Sequence, residues 1–322
     1  MREAPLYLKI GKKDSPLCLF IHGLGMNLNI WLRPEESRIM GGSYPLGILL
    51  SRPPAKKGNP KETGRFTFGV PPSNLRSSLH DLEAEGFTVL AYSQKRPAAS
   101  IDVLLKELEG ILKEHSELTK RGVVFITHSR GGILARLSIE HLRVKASGLV
   151  SIATPHRGTA MADMAGIIAP LTRVLSPFFA GAEENTVRGA IKRVMDFLSS
   201  PAIKELSPES HLIKNLAGQR LKGLKGISFG GTDPTLLTLY RWHKNCYKYE
   251  KVFSVPEILT AYLPDRLIPD ELRKGRGDSL VTAKSAEMPG AELHRNYREN
   301  HAGLIFNRYL RKAILCFVRE LR

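Results

Sequence analysis

Cysteine is scarce in this chain: there are three among 322 residues, Cys18, Cys246 and Cys316, far apart in sequence. The odd count and wide spacing argue against a full disulfide framework and against metal-ligand spacing, and a reducing compartment is the simplest setting. Acidic residues are also short, 31 Asp and Glu against 48 Lys and Arg, leaving a formal net charge of +17. Such an excess attracts polyanions and anionic membrane surfaces. No zinc-finger, RNA-binding or basic-helix pattern accompanies it, so nucleic acid is not an expected partner. The choice lies between a solvated basic face and peripheral association with anionic lipid surfaces. Long apolar runs are missing too: the longest, Met161 to Ala182, is broken by Asp163, Pro170, Arg173 and Pro177, which argues against a membrane span. Met1 to Lys13 holds no basic region leading into a long apolar stretch, so no signal peptide is read there and a cytoplasmic protein is expected. No internal repeat or low-complexity tract breaks the chain.

What is present is ample core material, 42% apolar residues, in a β-α rhythm. Tyr7 to Ile10 reads as an edge strand, and Pro16 to Ile21 as a buried parallel strand stopped by His22-Gly23-Leu24-Gly25. Ser73 to Glu85 is helical in pattern with Asn74 in its cap region, Phe87 to Tyr92 is a strand, and Ala98 to His115 carries the apolar stripe of a longer helix. Further strands are read at Val123 to Ile126, Ala146 to Ile152, Lys225 to Gly230 and Leu293 to Tyr297, with an amphipathic helix closing the chain over Gly303 to Arg322. The alternation predicts a mostly parallel sheet flanked by helices, one α/β domain over residues 1–322. Gly41 to Ser73 stands apart as a long basic loop whose sole acid is Glu62, with a strand over Arg65 to Val70. Tyr247 to Val255 is strand-like, but its place in the sheet is open.

The chain is organised around Thr127-His128-Ser129-Arg130-Gly131-Gly132, which joins a β-branched strand to a helical pattern. A serine on such a strand-to-helix turn projects its hydroxyl outward, above a helix N-terminus whose unpaired N–H groups suit a developing negative charge. A serine hydroxyl is a weak nucleophile until a histidine accepts its proton and a carboxylate orients the ring. Ten histidines compete for that role. His22 and His128 adjoin turns, His156 precedes the late acids, and His294 lies within a strand, whereas His301 stands on a loop between strand and helix. For the acid, Asp278 and Asp233 both remain open; Asp233 ends a strand, and its position before Pro234 also suits an ordinary turn.

Five segments in order resemble the α/β-hydrolase lipases and esterases, and they are spread over nearly the whole chain. They are Phe20 to Gly25, the serine turn, Ala153-Thr154-Pro155-His156-Arg157-Gly158-Thr159, Gly277-Asp278-Ser279-Leu280-Val281 and Asn300-His301-Ala302-Gly303-Leu304. Two positions depart from the family's pattern: Thr127 stands for the first glycine of G-x-S-x-G, and Ser279 for the glycine after the acid. The resemblance implies an α/β-hydrolase fold and a serine carboxylic-ester hydrolase with Ser129 as nucleophile, Asp278 as acid and His301 as base. It assigns the oxyanion-binding N–H groups to Leu24 and Arg130, and implies a helical lid or cap over residues 160–216. The substrate implied is an acyl ester or lipid of medium to long chain, with no metal or organic cofactor. A thioesterase, amidase or acyltransferase would use the same residues, and a non-catalytic basic binding protein is the reading from another class.

Overall fold

The computed structural model describes residues 5–12, 15–39, 44–50, 66–68, 74–142, 144–163, 200–219, 221, 223–243, 248–261 and 263–322. Its strands in chain order are β1 (Leu6–Lys9), β2 (Leu17–Ile21), β3 (Arg38–Ile39), β4 (Tyr44–Pro45), β5 (Phe66–Phe68), β6 (Thr88–Tyr92), β7 (Val123–His128), β8 (Ala146–Ile152), β9 (Gly226–Gly231), β10 (Leu237–His243), β11 (Lys248–Val255) and β12 (Leu293–Tyr297). Seven of them form one sheet in the order β1-β6-β2-β7-β8-β9-β12. Only β1 runs antiparallel to its neighbour; the other pairings in this sheet are parallel.

Side-chain alternation divides the core into two layers. Cys18, Phe20, Val124, Ile126, Val150 and Ile152 face one way. They meet α1 (Asn29–Leu32), α2 (Ser78–Ala84) and the closing helix Arg308–Glu320, which contributes Leu310, Ile314, Phe317 and Val318. Leu17, Leu19, Ile21, Val123 and Phe125 face the other way, toward α3 (Ile101–Glu114), α4 (Ser116–Thr119) following it, and α5 (Arg130–His141). Strands buried on both faces are continuously apolar because neither face meets water; each such side chain contributes roughly 2 kcal/mol by leaving it. The chain leaves β2 toward the first layer and β7 toward the second. The ends of these adjacent strands therefore flank the crevice where the connections part, the usual ligand position in open α/β sheets.

Some boundaries differ from the sequence reading. Helix α2 begins at Ser78, capped by Ser77, whose Oγ accepts from Leu79 N–H at 3.2 Å while His80 Nδ1 accepts from Ser77 N–H at 3.2 Å. Asn74 lies ahead of it at φ +62° rather than at the cap. The closing helix is split: a 3-10 turn, Gly303–Phe306, is followed by Asn307, whose side chain caps the helix through Tyr309 and Leu310 N–H. Strand β11 leaves the main sheet and pairs with β10, which pairs in turn with β5, in a second, antiparallel sheet. The cap expected over residues 160–216 falls largely on 164–199, and Cys246 on 244–247, both outside the described residues. Of the other cysteines, Cys18 is buried and Cys316 exposed, both free. Among the described residues no helix is long and apolar enough to cross a membrane.

Candidate active site

Strand β7 delivers Ser129. Its N–H still donates to Ile152 O at 2.8 Å, extending the ladder with β8 by one residue. The backbone then turns to φ 55°, ψ −130°, and α5 starts at Arg130. A left-handed conformation at a non-glycine residue costs of order 1–3 kcal/mol and persists only where the surroundings over-determine it. The surroundings do so here. A Cβ on Gly131 would lie 2.7 Å from Ile21 O, so only glycine lets α5 pass this close to β2. Thr127, in place of the family's glycine, is buried, and its hydroxyl donates to Val150 O at 2.8 Å, so the departure costs no unpaired polar group. Ser129 retains 9% exposure.

The loop after β2 lies against this turn: a Cβ added at Gly23 would sit 2.9 Å from the Ser129 Cβ and 2.8 Å from His128 Nδ1. His22 sets the loop's orientation. Its Nδ1–H donates to Gly23 O at 2.8 Å and its Nε2 accepts from Gln94 N–H at 3.0 Å. Gly23 C=O and Leu24 N–H belong to one planar peptide, so holding the oxygen on one side directs the N–H to the other. Among the described residues the N–H groups of Leu24 and Arg130 find no acceptor. They are spare donors, one on the loop packed against the Ser129 turn and one in the peptide that follows Ser129. Burial lowers the His22 pKa to about 4, which keeps the ring neutral in this role.

Asp278 and His301 come together from separate loops. Asp278 Oδ2 accepts from His301 Nδ1 at 2.9 Å, and Oδ1 accepts from Leu280 N–H at 3.0 Å and Val281 N–H at 2.8 Å. The His301 N–H also donates to Asp278 O at 3.1 Å, so the pair is joined through backbone and side chain. Both side chains are buried, Asp278 completely. Asn300 pins the histidine loop by donating to Leu49 O and Thr235 O, both at 2.6 Å. With Nδ1–H committed to a carboxylate, Nε2 of His301 keeps its lone pair. A hydrogen bond from Ser129 Oγ to His301 is not among the described contacts. The two residues meet through His128, whose Nε2–H donates to His301 O at 2.9 Å and whose ring lies 4.7 Å from the His301 ring. Burial, then the neighbouring His301, hold the His128 pKa well below its ordinary value.

The competing residues have other partners. Asp233 Oδ1 closes a turn with Thr235 N–H at 3.1 Å. His294 is bonded to Ser228 Oγ at 2.9 Å and to Asn296 Oδ1 at 3.1 Å, and burial lowers its pKa. His156 is fully buried between Ser151 and Arg136. Sequence reading missed two acids, the buried Glu271 and the half-buried Glu205. Glu271 accepts from Ala160 N–H at 2.8 Å, and Glu205 holds the Arg130 guanidinium at 2.6 Å. Neither belongs to a local motif: each stands between a charged residue and a leucine, and nothing in the local sequence singles it out. Among the described residues no group of three His, Cys, Asp or Glu side chains is placed to hold a metal ion.

No family model matches the chain, and no curated protein matches its sequence. Solved structures do resemble it. The mature form of the lipase BlEst2 from Bacillus licheniformis aligns over 98% of both chains at 14% identity and a TM-score of 0.51. Its propeptide form aligns over 98% of this chain and 53% of its own, at 13% identity and a TM-score of 0.56. BpoC of Mycobacterium tuberculosis, provisionally named a non-heme bromoperoxidase, aligns over 100% of this chain and 97% of its own, at 12% identity and a TM-score of 0.50. With the seven-stranded, mostly parallel sheet and helices on both of its faces, these likenesses establish that the chain has the α/β-hydrolase fold.

Proposed function

We propose that this protein is a serine carboxylic-ester hydrolase, a lipase or esterase that cleaves acyl esters through an acyl-enzyme. The observation that carries the reading is the buried Asp278–His301 bond beside a serine held at φ +55°. The fold alone does not, because it serves unrelated chemistries; the lipase among its likenesses is supporting context.

Ser129 Oγ attacks the ester carbonyl while His301 Nε2 takes its proton. Asp278 keeps the ring in the tautomer with hydrogen on Nδ1 and stabilises the imidazolium as it forms. Negative charge moves to the carbonyl oxygen, where the N–H groups of Leu24 and Arg130 receive it; a donor of this kind is worth about 3 kcal/mol of barrier. His301 then returns its proton to the leaving alcohol, and water repeats the cycle on the acyl-enzyme. The distance from Ser129 to His301 closes with substrate, as such pairs commonly do.

Residues 160–216 are the proposed cap, which favours medium to long acyl chains. The net charge of +17 favours anionic lipid surfaces as the setting. The test is hydrolysis of p-nitrophenyl esters from acetyl to palmitoyl by wild type, Ser129→Ala, His301→Ala, Asp278→Asn and Asp233→Asn. Turnover lost in the first three variants and kept in Asp233→Asn is expected. Undiminished turnover in Ser129→Ala overturns the mechanism, and a rate highest on the acetyl ester overturns the chain-length assignment.

A further inference from the structure

Arg130 has two parts with different duties. Its N–H belongs to the first peptide of α5, beside Ser129, while its side chain is 2% exposed and ends on partners other than Ser129, Asp278 and His301. There Nη2 donates to Glu205 Oε2 at 2.6 Å and Ala99 O at 2.8 Å, and Nη1 donates to Pro97 O at 3.3 Å. Glu205 is itself held: its two carboxylate oxygens accept the Ile101 N–H at the start of α3, at 3.1 and 3.0 Å. Its carbonyl accepts from Ser210 Oγ at 2.7 Å. The next residue, Leu206, accepts the Thr159 N–H at 2.9 Å, which ties together the two chain segments flanking residues 164–199.

A planar guanidinium gripped at several points fixes the direction of its stem and hence the frame of its Cα. The Ser129–Arg130 peptide has little freedom once that frame and the strained φ of Ser129 are both set. Burial lowers the Arg130 pKa and the Glu205 carboxylate opposes that effect, so removing the carboxylate leaves a desolvated cation with carbonyl partners only. The cation then has reason to move, and the peptide N–H moves with it.

We infer that Glu205 is a positioning residue for the oxyanion-binding N–H of Arg130, so that the segment following residues 164–199 sets the geometry of the oxyanion hole. The inference rests on the ester-hydrolase reading above. A donor misplaced by about an ångström loses transition-state stabilisation up to about a hundredfold while leaving ground-state binding almost untouched.

The experiment measures kcat and KM on a p-nitrophenyl ester, with the Ki of a trifluoromethyl ketone, whose adduct with Ser129 places an oxyanion in the hole. The proteins are wild type, Glu205→Gln and Glu205→Ala, with folding checked by circular dichroism. The expected result is a fall in kcat of about 10- to 100-fold in Glu205→Ala, KM within twofold, Ki raised by the factor lost from kcat, and partial rescue in Glu205→Gln. If Glu205→Ala does not fold, Glu205→Gln decides alone: a matched loss of at least about threefold in kcat and Ki is expected. Unchanged kcat in a folded variant overturns the inference, as does a loss confined to KM or one that spares the ketone. A wild type that neither hydrolyses esters nor reacts at Ser129 with a fluorophosphonate overturns the parent reading and this inference with it. An active wild type with indifferent Glu205 variants overturns the inference only.

Discussion

His301 and His156 are both buried histidines at hydrogen-bond distance from a charged side chain, and the sign of that charge gives them opposite chemistry. His301 donates Nδ1–H to the Asp278 carboxylate, so its other ring nitrogen is the acceptor. His156 Nδ1 faces the Arg136 guanidinium at 3.2 Å, which has only protons to offer and consumes the lone pair. Its remaining N–H then points at Ser151 Oγ, 2.7 Å away. Ser151 and His156 thus form a serine-histidine pair that cannot activate its serine. Arg136 also donates to Leu216 O at 2.7 Å and Gln219 O at 2.8 Å, so this trio fastens the end of the helix His211–Ala217 to α5. Proximity of serine and histidine is therefore no evidence of a nucleophile until the third partner is known.

The most severe break of this contrast is at the third partner itself. Asp278→Asn is expected to lower kcat by about 10⁴-fold, because an amide both accepts and donates and does not hold the required tautomer. His156→Gln is expected to lower stability while leaving kcat within about threefold, since nothing in its bonding reaches the reacting atoms. Steady-state kinetics beside urea unfolding checks both. Equal kcat losses in the two folded variants would erase the distinction.

Acid sharpens the contrast from the side of stability. Burial keeps the His22 pKa down to about 4, and burial, then Arg136 and Arg157, keep that of His156 well below its ordinary value. In the unfolded chain these rings take up protons near 6.5, in the folded chain only below that range, so between pH 6.5 and 4 the unfolded state binds more protons. Stability is fully present above that window and falls as pH drops through it, by about 3 kcal/mol from His22 alone. Urea midpoints measured across the window are expected to decline toward acid, and to decline less steeply in His156→Gln. A flat profile would contradict neutral burial of these rings.

His22 is the intermediate case, with a neutral carbonyl for its partner. His22→Gln keeps an acceptor near the Nε2 position but loses the Nδ1–H that holds Gly23 O, whereas His22→Asn keeps a donor near Nδ1. A kcat loss of about 10- to 100-fold is expected in the first variant and a smaller one in the second, with KM little changed in either. The reverse order would show that the Gln94 contact, not the Gly23 carbonyl, orients the loop.

How far these relations are legible in sequence depends on whether they are local. The strand-turn-helix around Ser129 is local: a continuous apolar run, a small residue and two glycines suffice to read it. Strand β10 escapes reading because its register shifts between Leu239 and Tyr240 and three successive residues, Thr238, Leu239 and Tyr240, are buried, which spoils the alternation. The start of α2 is misread because Asn74 and Ser77 are equally good caps by type, and the difference lies in His80 Nδ1 accepting from Ser77 N–H. Between Asp278 and Asp233, residue type and loop position leave a choice that the bonding partners of each carboxylate resolve into different jobs. Glu205 is invisible until residues 75 apart are brought together. Its neighbours in sequence describe a turn, and only the fold supplies the guanidinium.

The smallest expected effect lies on the acid loop. Ser279 sits at φ +86° with its hydroxyl buried and, among the described residues, unpartnered. It stands next to Asp278, and its N–H donates to Glu271 O at 2.9 Å, which fixes the turn that aims Leu280 and Val281 N–H at the carboxylate. Glycine adopts this backbone without the steric cost of a Cβ and leaves no hydroxyl to bury, though it gives the unfolded chain more freedom. The balance favours Ser279→Gly by about 1 kcal/mol in urea unfolding. Turnover should remain within about twofold, because the hydrogen bonds to the Asp278 carboxylate come from the Leu280 and Val281 N–H groups and from His301, not from Ser279. A stabilised variant with markedly reduced kcat would mean that strain at Ser279, and not those bonds, sets the carboxylate against His301, and the chemistry assigned here to the partner's charge would then rest partly on the backbone that carries it.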